Sequence, residues 1–237
     1  MEQQLLLKAK KDLPKYLNEF NNFWNLTANH ILDEDLSNCY HTSILFKNWQ
    51  VSLNYIGISK VNSIFFEVHE DINASLFHAY FGNYRSAHMH LRSVIELSLQ
   101  ILYFYQHEVE YLQWQNGEFR IKHDELSGYL KRHPNLQVPE VENLLNQITV
   151  EWKKFSKHIH AETPLFFQTE LESKKTKKIS KRDFNIWKGN YLKTGYLINL
   201  LFLIFYRDKL TRFQTKPREL LLLNLKPRDF NVLGIEI

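Results

Sequence analysis

From Asn83 to His107 the chain reads NYRSAHMHLRSVIELSLQILYFYQH, with neither proline nor glycine. At about 100° per residue, Arg85, His88, Arg92 and Glu96 fall within an arc of roughly 80°. Leu99 and Tyr103 continue that line, and Leu91, Ile95 and Leu102 flank it. Charged side chains are seldom fully buried unless paired, and burying one alone is costly. The stripe is therefore either a satisfied internal ion-pair network or the lining of a cleft.

Working outward, helical periodicity dominates the rest of the chain. Val61 to Phe81 carries Ile64, Phe65, Val68, Ile72, Leu76 and Tyr80 on one face, and Gly82-Asn83 suits a left-handed cap before the striped helix. Pro14 suits the first turn of a helix over Lys15 to Leu32, with Asp33 to Ser37 as a break after it. Tyr40 to Tyr55 is ambiguous. Short helices are expected at Glu108 to Asn116, closed by Gly117, and at Asp124 to Lys131. Pro139 opens a long helix through His160, with Val141, Leu144, Leu145, Ile148, Trp152, Phe155 and Ile159 as its core stripe. Asp183 can cap a last long helix to about Arg207. The expected architecture is all-α: a single helical bundle over 1–237, with a tail from 208 whose packing the pattern leaves open.

Composition narrows the function classes. The 237 residues suffice for one well-buried core. The chain has 7 glycines, which argues against turn-rich β folds and Gly-rich nucleotide loops. The one cysteine, Cys39, excludes an internal disulfide framework and a multi-thiolate metal site. The N-terminus lacks a signal-peptide pattern, and GYLINLLFLIFY (195–206) falls short of the roughly 20 apolar residues a bilayer span needs. A cytoplasmic protein without membrane partners is expected. The net charge of +4 hints weakly at an anionic partner.

Two further groups bear chemistry. Ser156 and His160, four apart, share a face beside the core stripe of the 139–160 helix, within reach of a cleft shared with Arg92 and Glu96 if the two helices touch. Lys157 lies beside them. Residues 173–182 (SKKTKKISKR) form a basic segment, in which Lys174, Lys175, Lys177, Lys178, Lys181 and Arg182 suit either a solvated loop or a grip on phosphates. The pairs His88/His90 and His158/His160 do not suit chelation, because side chains two apart on a helix diverge.

The run Tyr84-x-x-Ala87-x-x-x-Leu91-Arg92-Ser93-x-x-Glu96-x-x-Leu99, followed by His107-x-x-x-Tyr111-x-x-Trp114-x-x-Gly117, resembles a bacterial branch of the HEPN superfamily. The later Phe155-Ser156-Lys157-x-x-His160 is similar to a Leu-Ser-x-x-Val-His stretch in such proteins. The resemblance spans roughly residues 60 to 207 and implies a helical, usually dimeric protein. It implies metal-independent cleavage of RNA, tRNA among the candidates, in toxin–antitoxin or abortive-infection settings, with an antitoxin or defence-complex partner and no cofactor. The usual signature is an arginine, four to six residues, then a histidine. Arg85 and His90 have that spacing but point roughly 140° apart on an ideal helix. The resemblance is instead carried onto Arg92, Glu96, His160 and Ser156 as the catalytic group, with Arg85, His88, Lys157 and the lysine run as RNA contacts. A non-catalytic binding or regulatory module, its stripe a structural network, is the alternative.

Overall fold

The computed structural model describes residues 33–160, 180–223 and 225–234, with three isolated positions, 11, 14 and 18, before them. Apart from position 18, the helix expected over 15–32 lies outside the described residues, as do the lysines at 174–178. The elements are α1 (Asp33–Tyr55), α2 (Asn62–Tyr80), α3 (Tyr84–Phe104), α4 (Glu108–Gln115), α5 (His123–Leu130), a 3-10 turn (Pro134–Leu136), α6 (Glu140–His160), α7 (Lys181–Phe205), a second 3-10 turn (Arg207–Arg212), α8 (Thr215–Leu222) and α9 (Pro227–Leu233). Among the described residues there is no strand, and the fold is an all-α bundle.

Helices α2 and α3 form a hairpin; α3 then packs on α6 and α7, while α1 packs on α2, α7 and α8. The hairpin turns where the chain predicts it. Gly82 takes φ +67°, its N–H donates to Ala79 O, and the Asn83 N–H donates to His78 O. That pair of bonds is a Schellman cap, and the positive φ is the reason a glycine stands there. Every residue of α7 from Leu197 onward, and Tyr206 after it, is buried, as expected of a helix that is apolar all round. Among the described residues no helix is long and apolar enough to cross a membrane.

Two local expectations are corrected, and two stretches whose pattern is open take a definite form. Asp33 to Ser37 is not a break but belongs to α1. Tyr40 to Tyr55 is helical throughout, within α1. Leu45, Phe46, Trp49 and Leu53 are buried while Tyr40, Val51 and Tyr55 are exposed. The cap of α7 is Ser180, whose Oγ accepts from the Asp183 N–H at 3.2 Å, so Lys181 and Arg182 belong to its first turn. The tail packs at home. Leu221 of α8 is fully buried and its carbonyl accepts from Asn199 Nδ2, and buried Asp229 of α9 accepts from Tyr196 Oη at 2.8 Å.

Helices α1 and α7 approach closely at Gly195. A Cβ there would collide with Thr42 Cγ2, whereas Thr42 Cβ, at 3.6 Å, would make an ordinary contact. Gly195→Ala should therefore lower stability by about 1–3 kcal/mol, despite alanine's better helix propensity. Thr42→Ser removes the offending methyl and keeps the hydroxyl bond to Asn38 O at 3.1 Å. Urea unfolding should show the double variant restored; equal loss in the single and double variants would contradict a steric cause.

Candidate functional site

Helices α3 and α6 run antiparallel, so the start of α3 meets the end of α6. Three levels of contact follow along the seam.

At the level farthest from the start of α3, Glu96 Oε1 accepts both from Arg92 Nη2 and from Trp152 Nε1, each at 2.8 Å. The Arg92 guanidinium carbon lies 5.2 Å from the centre of the Trp152 ring. His123, the first residue of α5, stacks on the same tryptophan at 4.2 Å, and its Nε2 meets Thr149 Oγ1 at 3.2 Å. Burial, reinforced by Lys153 and Arg92 against the opposing Asp124, pushes the His123 imidazole down to about 4. Arg92 and Glu96 retain 25% and 34% side-chain exposure. The pair therefore closes on itself and on Trp152 while one edge stays wet.

At the middle level His88 is buried, 2% exposed. Its Nδ1–H donates to Tyr84 O at 2.7 Å, which leaves Nε2 to accept from Asn190 Nδ2 at 2.9 Å. The bonds run on: Lys154 Nζ donates to Asn190 Oδ1 at 2.5 Å, and buried Glu151 takes Lys154 on one oxygen and Lys193 on the other. The His88 ring stacks on His158 at 4.3 Å with 6° between the planes. Burial, then the neighbouring imidazole and Lys154, hold His88 down at about 3.

The start of α3 joins two other helix ends. Arg85 Nε donates to His158 O at 2.8 Å, in the last turn of α6, and Tyr84 Oη donates to Ser180 O at 3.3 Å, at the cap of α7. Exposed Arg85, Lys157, Lys181 and Arg182 all belong to this end. Helices α3 and α7 both begin here, and the N-terminus of a helix carries partial positive charge.

The two helices of the resemblance thus touch, but in a register the sequence did not specify. Trp152 and His160 are eight residues apart, about 12 Å along a helix axis. Arg92 and Glu96 meet α6 at Trp152, whereas Arg85 meets it in the turn that ends at His160. His160 is the last residue of α6, and its side chain lies outside the described residues. The Ser156 hydroxyl donates to Trp152 O at 2.9 Å, a bond within its own helix. Arg85 and His90 diverge as the helical wheel predicts, since His90 Nδ1 donates to Asp71 Oδ1 at 2.8 Å on the α2 side. Lys157 is exposed and His88 is not. Among the described residues no group of three or more histidine, cysteine, aspartate or glutamate side chains is arranged to hold a metal ion.

Several members of the seam escape a reading of the sequence. Trp152 registers there only as core, His123 not at all, and Asn190 has no local signal because it acts from α7, 102 residues beyond His88. The Glu151–Lys154 pair, at i,i+3, was within reach of a pattern argument. Comparison with protein families, curated proteins and solved structures returned no match for this chain.

Proposed function

We propose that the protein is an RNA-directed effector of HEPN type, serving antiphage defence or a toxin system, with its RNA contact where α3, α6 and α7 meet. The observation that carries this reading is the gathering of exposed Arg85, Lys157, Lys181 and Arg182 around two helix N-termini and the last turn of α6. Cations and helix N-termini are what a phosphate backbone selects. In this reading His160 transfers the proton of a ribose 2′-hydroxyl, and Arg85 stabilises charge gathering on the phosphate. Arg92 and Glu96, tied to Trp152, hold α3 to α6. No metal is asked for. A homodimer and an antitoxin or defence-complex partner come with the same resemblance.

A non-catalytic binding module is the second reading, favoured by one observation: the hydrogen bonds of His88, Glu96 and Ser156 are made within the protein, and Arg92 is paired with Glu96. Labelled total RNA and tRNA, incubated in chelator with wild type, His160→Ala and Arg85→Ala, separate the two. Cutting by wild type that falls about 10²–10⁴-fold in His160→Ala, with unchanged thermal unfolding, supports the nuclease. RNA binding without cutting selects the binding module. Wild-type protein that neither binds nor cuts RNA overturns both RNA roles.

A further inference from the structure

Directly beneath the basic end lies a pair of rings that the RNA reading leaves without a task. His88 and His158 stack face to face between α3, α6 and α7, and Phe155 packs 5.5 Å from His88 on the same side of α6. We infer that His88 is a positioning residue: fixed by Tyr84 and Asn190, its ring is the plate on which His158 rests, and it thereby sets the last turn of α6 against Arg85. The functional consequence rests on the RNA reading, but the mechanical claim does not.

The reasoning is geometric. The end of a helix has backbone carbonyls with no partner in the helix itself and frays readily. Among the described residues, the Arg85 bond to the His158 carbonyl and the ring stack on His88 hold this final turn from outside α6. The plate itself cannot turn, because both ring nitrogens are engaged, one by a backbone carbonyl and one by an amide that Lys154 holds from the other side.

The charges around the stack make the restraint sensitive to acid. Arg85 faces it from α3, and Lys154 from α6. Lys193 of α7 approaches only through Glu151. That buried carboxylate already serves Lys154 and Lys193, and a proton on His158 meets the like charge of Lys154 and Arg85; Asp183, in the first turn of α7, is the acid beside Tyr84 at this end. Both imidazoles are pushed below the ordinary histidine range, chiefly by burial. A separated ring regains its usual affinity for protons, so acid favours separation. The opened population therefore rises as the pH falls through the ordinary histidine range.

Amide hydrogen exchange on the full chain, corrected for the intrinsic rate at each pH, tests this. His88→Gln keeps a polar side chain but removes the plate. It should lower protection of amides 156–160 about ten-fold while leaving amides 144–152 near wild type. His88→Phe keeps a ring and should retain more of that protection at pH 7. Wild type should lose protection in the last turn between pH 7 and 5. Binding of labelled single-stranded RNA, read by anisotropy, should weaken in parallel in His88→Gln. Last-turn protection equal to wild type in His88→Gln, or a loss spread evenly along α6, overturns the inference. A loosened turn in a protein whose wild type binds no RNA upholds the positioning role and removes the RNA reading alone.

Discussion

Between pH 7 and pH 4 the folded state is expected to lose about 3 kcal/mol through His88 alone. The unfolded chain takes up a proton at this imidazole near 6.5, while the folded chain declines it until about 3. The unfolded state therefore binds more protons throughout that window. Stability is complete above 6.5 and falls as the pH drops through it. His123, held down at about 4, adds a loss of the same sign. Urea unfolding at pH 7, 5.5 and 4 measures the total, which includes carboxylate titration. The His88 share is the difference in slope between wild type and His88→Gln. Parallel slopes would mean that His88 titrates in the folded protein as it does in the unfolded one.

Replacing Trp49 by alanine should cost about 3–5 kcal/mol, the range for removing a large aromatic from a packed interior. The ring is fully buried and lies 5.5–5.8 Å from Phe202, Tyr206 and Phe213. It also carries a polar link. Its Nε1 donates to Asn199 Oδ1 at 2.8 Å, and Asn199 Nδ2 donates to Leu221 O at 2.8 Å. One side chain thus ties α1 to α7 and, through Asn199, to α8. Trp49→Phe keeps most of the apolar contact but strands the asparagine oxygen, a penalty of about 1–3 kcal/mol. Denaturant midpoints for both variants decide the matter. A loss below about 1 kcal/mol for Trp49→Ala would show that the tail and α1 are held by something else.

The two predictions differ in how far the chain announces them. Trp49 stands at helical spacing from Leu45 and Leu53 within a stretch whose pattern is ambiguous, and nothing near it in sequence points to Asn199. The polar stripe of α3 was legible, since periodicity alone aligns Arg85, His88, Arg92 and Glu96. Which of the four would be sealed and which left wet was not. His88 lies inward because Asn190 supplies a partner from α7, and Arg85 lies outward at a junction of three helix ends. The proposed catalytic grouping depends most on this. A choice between Arg92 and Arg85 as the arginine beside the end of α6 depends on a two-turn difference in register.

By itself the sequence determined most of the helices, though not the start of α1, together with the left-handed cap at Gly82 and the apolar second half of α7. These depend on interactions within a few residues, where 3.6-residue periodicity and capping chemistry act. It also determined that four polar groups would share a line on α3. The tertiary structure alone decided what that line means: Trp152 and His123 around Arg92, Asn190 behind His88, and the basic end assembled from α3, α6 and α7. Those partners lie tens to about a hundred residues apart in the chain. The burial that makes an imidazole shed its proton exists only once three helices have closed around it.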